Sequence, residues 1–375
     1  MVLLVGAGLL GKSLYHLLHV DIGLQPDHLA TLQVTLPNTN LTTERLIPFE
    51  RQIVNRIGSL PGVKSVGLST SLPLSSWSLS TNIRVSGRPW NGERNDVPER
   101  AVSSGYLRTL GAKLLRGRYF TEVEDDPAKP RVVLINETFA KKYFAEEDPL
   151  GRQLSYETSH DRMEIIGIVQ DIKEGQLDTA NRATMYVPFT QDWFSSFGVV
   201  VRTSQADRTL LPALSATIHQ IDPEIAADST ATMSDVIDDS QSAYLHRSSA
   251  WLAGGFAALA LVLSVVGLYG VIAYSVSQRT REVGIRMALG ADRSSVYQLI
   301  LKEAVRLTAA GIAIGLACSV AAATLMRGLL FGVRSWDMPT LAAVAGVLGV
   351  AALLASYIPA RRAASINAVD ALRAE

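Results

Sequence analysis

At 375 residues the chain is long enough for two or more domains, and at 48% hydrophobic against 19% charged it is apolar for a water-soluble protein. Formal net charge is zero, so no global charge selects a partner, and neither a basic face nor a nucleic-acid-binding signature is present. A single cysteine, Cys318, excludes a disulfide framework and any cluster of cysteine ligands; in its apolar run it reads as a small core or lipid-facing residue.

The chain opens with MVLLVGAGLLGKSLYHLLHV, an apolar stretch that Lys12 interrupts after eleven residues. Eleven residues are too few to span a bilayer core, which takes about 20, and a lysine at mid-helix costs about 2.5–3.5 kcal/mol. A helix continuing to Val20 therefore has to give Lys12 a partner or a polar interior. No basic residue precedes the apolar core and no small-x-small cleavage site follows it, so the stretch reads as a membrane helix, the remaining part of a longer one, and not as a secretory signal. Within it, Gly6-Ala7-Gly8-Leu9-Leu10-Gly11-Lys12-Ser13 matches G-x-x-x-x-G-K-S, the loop whose amides and lysine cradle phosphates and whose serine holds magnesium. IIGIVQD, ending at Asp171, could pose as the metal-holding strand. No succession of strands and helices follows to build a parallel nucleotide sheet, and no LSGGQ-like signature occurs. The match reads as an accident of a Gly- and Leu-rich helix.

Residues 21–247 read as mixed α and β. Leu32, Val34 and Leu36 alternate with polar residues over Thr31–Leu36, the pattern of a half-buried strand. Leu46, Phe49, Ile53, Ile57 and Leu60 recur at helical steps, with Pro48 expected in the first turn. Pro61-Gly62 breaks that helix, VKSVGLST resumes as strand, Asn82–Ser86 is another, and a polar loop is expected from Gly87 to Pro98. A second block begins near Arg100 with a short helix ending at Gly111. Strands are expected at Arg131–Ile135, Met163–Val169, Thr184–Val187 and Val199–Arg202, with Asn136 capping the helix ETFAKKYF. Leu210, Leu211, Leu214, Ile218 and Ile221 form a closing amphipathic helix. The order suits a split α+β domain carrying an insertion.

The apolar excess lies in the last third. Charge-free runs extend from Ser248 to Gln278, from Leu307 to Met326 and from Met338 to Ala360, each long enough to cross a bilayer as a helix. They are rich in Gly and Ala, which let membrane helices approach closely. Between the first two runs lie Arg279, Arg281, Arg286, Arg293, Lys302 and Arg306, and after the last come Arg361, Arg362 and Arg373. The excess of basic residues places that loop and the C-terminus in the cytoplasm, and residues from about Asp21 to Arg247 outside.

Signatures of catalysis are sparse. Neither G-x-S-x-G nor H-E-x-x-H occurs, and His16 and His19, three residues apart, have no neighbouring carboxylate. The acidic run Glu122, Glu124, Asp125, Asp126 lacks the spaced ligands and turn glycine of a calcium loop and reads as a solvated loop. Neither an enzymatic activity nor a cofactor or metal is expected. In the basic loop, Glu282 and Arg286 form an i, i+4 pair on one helical face, Val283, Met287 and Gly290 fall on another, Gly290 breaks the helix, and Ser294 can cap the next one. The segment reads as a short amphipathic helix lying on the inner membrane surface.

TREVGIRMALGA (Thr280–Ala291) resembles the cytoplasmic loop of MacB/FtsX-like ABC transporter permeases, with its E-x-G-I-R-x-A-L-G-A core. The closing PARRA (Pro359–Ala363) and Asp370-Ala371-Leu372-Arg373 resemble the end of such chains. SSGYLRTLGAKLLRGRYFTEVED and VVLINETFAKKYFAEEDPLGRQL resemble their periplasmic core segments. Within the family, the chain looks like one half of the duplicated orphan permeases. The resemblance implies a partial transmembrane helix at 1–20, a periplasmic core domain at 21–247 and an FtsX-like permease domain at 248–375, with spans near 250–276, 307–327 and 338–360. The outer domain would be porter-like over 21–98 and 193–247, with 99–192 inserted. The resemblance also implies a coupling helix contacting a separate ABC ATPase through Arg281, Glu282, Gly284, Ile285, Arg286, Leu289 and Gly290. Its implied partners are that ATPase, a second permease copy or homologous half, a periplasmic adaptor and membrane lipid, in a bacterial inner membrane. The implied function is efflux or mechanotransmission driven by ATP hydrolysis elsewhere; the alternative is a membrane-anchored sensor or scaffold without ATP coupling.

Overall fold

The computed structural model describes residues 1–36, 43–75, 79–89, 92–145, 147–157, 161–191, 195–278 and 293–364. The elements run α1 (Val2–Leu18), β1 (Leu29–Thr35), α2 (Thr43–Gly58), β2 (Val63–Ser69), β3 (Ser80–Val85), β4 (Asp96–Val102), α3 (Tyr106–Leu110) and β5 (Leu114–Gly117). They continue with β6 (Val132–Asn136), α4 (Glu137–Phe144), β7 (Gln153–Tyr156), β8 (Arg162–Val169), β9 (Met185–Pro188), β10 (Ser196–Thr203) and α5 (Asp207–Ile221). The last are β11 (Ala226–Thr232), α6 (Met233–Asp238), α7 (Gln241–Gln278), α8 (Arg293–Leu325) and α9 (Met338–Ala364). Residues 20–243 form one compact unit, and residues 1–19 with 244–375 form another.

In the first unit the strands lie in the order β11-β1-β10-β2, all antiparallel, with α2 and α5 packed on them. β1 is paired on both sides, and Leu29, Ala30, Leu32 and Val34 are completely buried. Its register with β10 sets Leu29 opposite Arg202 and Thr35 opposite Ser196. Arg202 then donates to three carbonyls, from Nε to Thr109 (2.7 Å), from Nη1 to Asp27 (3.0 Å) and from Nη2 to Gln25 (2.9 Å). β2 meets β4 through the single pair Ser69–Val102. From there the order is β4-β3-β7-β8-β6-β9, and β9 pairs back onto β4 in parallel, so six strands form a closed circuit, with β5 paired on β8.

Asn136 caps α4, its Oδ1 accepting from Phe139 N at 2.9 Å. α2 begins at Thr43, so Pro48 falls inside the helix and not in its first turn. The expected polar loop over Gly87–Pro98 is wrong at its end, because β4 starts at Asp96. Pro98 and the charges of DVPERAV argue against a strand from sequence. Tertiary partners reverse that: Arg100 is 1% exposed and donates from Nε to Glu174 Oε2 at 3.1 Å. Tyr186 of β9 donates to Glu174 Oε1 at 2.8 Å, so the carboxylate is held from both sides.

The second unit is helical. Among the described residues three helices are long and apolar enough to cross a membrane, over Gln241–Gln278, Ala304–Leu325 and Met338–Pro359. α7 exposes Trp251 (77%), Leu252, Phe256, Leu259 and Leu263, a surface suited to lipid and costly in water. α1 packs on α8 and α9 through Val5, Leu9, Ala323, Leu341 and Val344.

Removing one member of the Arg100–Glu174 pair strands a buried charge, at a cost of about 3–5 kcal/mol. Glu174→Ala should therefore lose hydrogen-exchange protection in β4 and β9 in the detergent-solubilised chain, whereas Arg100→Met with Glu174→Leu should lose much less. Equal loss in both would show that the charges are not what holds these strands.

Candidate functional site

The seven residues expected at a coupling helix, Arg281, Glu282, Gly284, Ile285, Arg286, Leu289 and Gly290, lie outside the described residues. The flanking elements are described: α7 ends at Gln278 and α8 starts at Arg293, so the basic loop joins two apolar helices.

The phosphate-loop-like stretch is fully helical, within α1. Its glycines form no loop, and backbone amides inside a helix point along the axis to the preceding turn and not to a common anion. The motif residues instead contact the segment that leads into α9. Lys12 Nζ donates to Asp337 Oδ1 at 2.7 Å. Phe331 N donates to Ser13 Oγ at 2.8 Å. A Cβ at Gly8 would lie 2.8 Å from Thr340 Cγ2, so glycine permits this close approach. Asp337 also caps α9, accepting at Oδ2 from Thr340 N (3.2 Å) and Thr340 Oγ1 (2.6 Å). Lys12 beside it, with these Thr340 bonds, holds the Asp337 carboxyl below the usual range. The partner that Lys12 requires is thus Asp337. Asp171 is likewise engaged elsewhere: its carboxylate accepts from Thr138 N (2.9 Å) and Thr138 Oγ1 (2.6 Å) in the first turn of α4.

In the other unit a cleft of about 510 Å³ is lined by Glu50, Arg51 and Asn55 of α2, by Ser103–Gly105, by Glu122, Asp125 and Asp126, and by Thr190. The reading of the acidic run as a solvated loop fails at Asp125, which is 9% exposed. Its Oδ1 accepts from Thr190 N at 3.0 Å and Thr190 Oγ1 at 3.2 Å. Glu124 turns the other way, to Arg118 Nη1 at 2.8 Å, and the guanidinium keeps its carboxyl below the usual range. Glu50, 8% exposed, hydrogen-bonds to Asp125. Burial, and then the Asp125 charge, push the Glu50 carboxyl up to about 9. It therefore holds a proton at neutral pH and donates to Asp125. Sequence reasoning missed Glu50; the one available signal was its helical spacing from Ile53 and Ile57, which puts it on the buried face. Among the described residues no group of three or more His, Cys, Asp or Glu is placed to hold a metal.

Residues 1–231 match the MacB-like periplasmic core domain, and residues 254–368 match the FtsX-like permease C-terminal domain. The chain belongs to the MacB/FtsX-like permease family. The "Macrolide export ATP-binding/permease protein MacB" of Marinobacter nauticus is 26% identical over 303 residues, covering 78% of this chain and 45% of that protein. The "Uncharacterized ABC transporter permease YknZ" of Bacillus subtilis is 26% identical over 341 residues, covering 87% of this chain and 79% of that one. The chain thus spans less than half the length of the MacB relative. The crystal structure of the periplasmic region of MacB from Actinobacillus actinomycetemcomitans aligns with a TM-score of 0.40 at 18% identity, covering 59% of this chain and 95% of that one. Family membership and three apolar helices of spanning length support an inner-membrane protein.

Lys12→Met and Asp337→Asn should each destabilise the helical unit, and the double variant should lose less than the sum, with a coupling of about 0.5–3 kcal/mol. A double-mutant cycle on unfolding in detergent measures this; strict additivity would show that the pair does not interact. A second expectation concerns pH. Because folding raises the Glu50 pKa from its ordinary 4.5 to about 9, its stabilising effect is complete below the ordinary value and is lost as pH rises toward 9. Glu50→Gln should flatten the fall in thermal stability over that range, and an unchanged slope would assign the pH dependence to other groups.

Proposed function

We propose that this chain is the permease subunit of an ABC-type transporter, coupling ATP hydrolysis by a separate ATPase to movement of residues 21–247 outside the membrane. The observation that carries the reading is the order of its parts: a match to the MacB-like periplasmic core domain, then one to the FtsX-like permease C-terminal domain, with a basic loop between apolar helices. In this arrangement the loop at 279–306 and the C-terminus face the cytoplasm, as the surplus of Arg and Lys favours. The loop residues Arg281, Glu282, Gly284, Ile285, Arg286, Leu289 and Gly290 form the contact with the ATPase. Residues 21–247 lie in the chain between apolar segments on both sides, so rocking of those segments would be transmitted to them. The movement serves efflux or mechanical work outside the membrane. The chain itself carries no catalytic step and needs no cofactor. A second permease copy or homologous half completes the transporter, a periplasmic adaptor joins it outside, and lipid covers the apolar faces.

Two measurements test this. In intact cells, with Cys318 replaced by Ser, a membrane-impermeant thiol reagent should label Lys129→Cys and leave Ser295→Cys unlabelled; the reverse pattern would invert the topology and remove the ATPase contact. Co-purification of an ABC ATPase with the tagged chain should weaken on Glu282→Lys. Retention of the ATPase at undiminished yield would place the contact elsewhere.

A further inference from the structure

Two carboxyl groups, each about nine-tenths buried, meet across the cleft in residues 20–243. Glu50 is carried by α2, which packs on β2. Asp125 belongs to the turn after β5 and is tied by Thr190 to the segment that follows β9. The contact therefore joins the four-strand layer to the closed circuit, whose strand ladders otherwise meet at the single pair Ser69–Val102. The charged groups facing it are Arg51 on α2 and Glu122 and Asp126 on the turn; Ser103–Gly105 and Thr190 contribute no charge. Arg51 favours an ionised Glu50, but burial and the contact with Asp125 outweigh it, and Glu122 acts in the same sense as Asp125.

We propose that the Glu50–Asp125 contact is a proton-operated latch, closing the cleft while the two carboxyls share one proton and releasing α2 from the 121–126 turn when that proton is lost. With the proton present, Glu50 donates to Asp125 and one negative charge is distributed over hydrogen bonds from Glu50 and Thr190. Without it, two carboxylates face each other in a site that solvates neither. Separation lets water enter the cleft and hydrate both.

The test is a distance between spin labels on Arg56→Cys of α2 and Lys129→Cys beyond the turn, in the full chain with Cys318→Ser, in detergent. Between about pH 6 and about pH 10 the unsubstituted latch should lengthen or broaden this distance, with a midpoint near the upper end of the range. Glu50→Gln, which keeps a donor and cannot ionise, should hold the short distance throughout. Asp125→Asn, which removes the facing charge and can donate to an ionised Glu50, should likewise hold the short distance throughout. A distance that does not change with pH when both carboxyls are present overturns the proposal, whatever the variants do. So does a Glu50→Gln chain that opens at the same pH as its parent. Far-ultraviolet circular dichroism at each pH separates cleft opening from unfolding, and opening only together with loss of secondary structure would also overturn the latch.

Discussion

The antiparallel pairing of β1 with β10 is the constraint on which the unit at 20–243 depends. It joins residues 29–35 to residues 196–203, so everything between them is an excursion that must return to one edge. Closing a loop of that length costs about 4–5 kcal/mol in chain entropy. The offset comes from seven residues of register and from full burial of Leu32, Val34, Val199 and Val201, at about 1.5–3 kcal/mol for each large apolar side chain. Arg202 extends the junction by gathering the carbonyls of Gln25, Asp27 and Thr109. The stretch entering β1 and the short helix α3 are thereby fixed to the returning strand. The closed circuit of six strands is built inside this excursion, and its charged core pair, Arg100 with Glu174, can exist only once the strands around it are assembled.

The helical unit shows how one string of residues carries different chemistry in different secondary structure. G-x-x-x-x-G-K-S as a loop opens its amides toward a phosphate. The same string as a helix places Gly8 and Lys12 four residues apart on one face, and the partner segment offers Thr340 and Asp337 three residues apart. Small residue meets side chain, and lysine meets carboxylate. The polar residue that interrupts an apolar helix has become a tie between helices, at the start of a helix whose cap is the same carboxylate.

Charge is used differently in the other unit. Most ion pairs there, such as Arg116–Asp148 and Arg182–Asp96, lie at the surface and contribute little each. Two acidic sites are removed from water. Glu174 is paired with the guanidinium of Arg100. Glu50 meets another carboxyl and must keep a proton. The second arrangement is sensitive to pH by construction.

The three long apolar runs, the amphipathic α2 and α5, the Asn136 cap and the buried strand β6 were legible in the sequence, because each rests on local periodicity or on a side chain reaching its own backbone. The family resemblance was legible in short motifs for a similar reason: TREVGIRMALGA is contiguous. β4 and β11 were not legible. DVPERAV carries a proline and three charges, and AADSTAT is an edge strand with few apolar residues, so both owe their pairing to strands distant in the chain. The partner of Lys12 lies 325 residues away, and that of Glu50 lies 75 away on a different element. Sequence alone determined that Lys12 needed a partner or a polar interior; that Asp337 answers it was decided by helix packing. Glu50 gave no local sign that it is protonated, because a pKa is set by burial and neighbouring charge, and both are properties of the assembled fold.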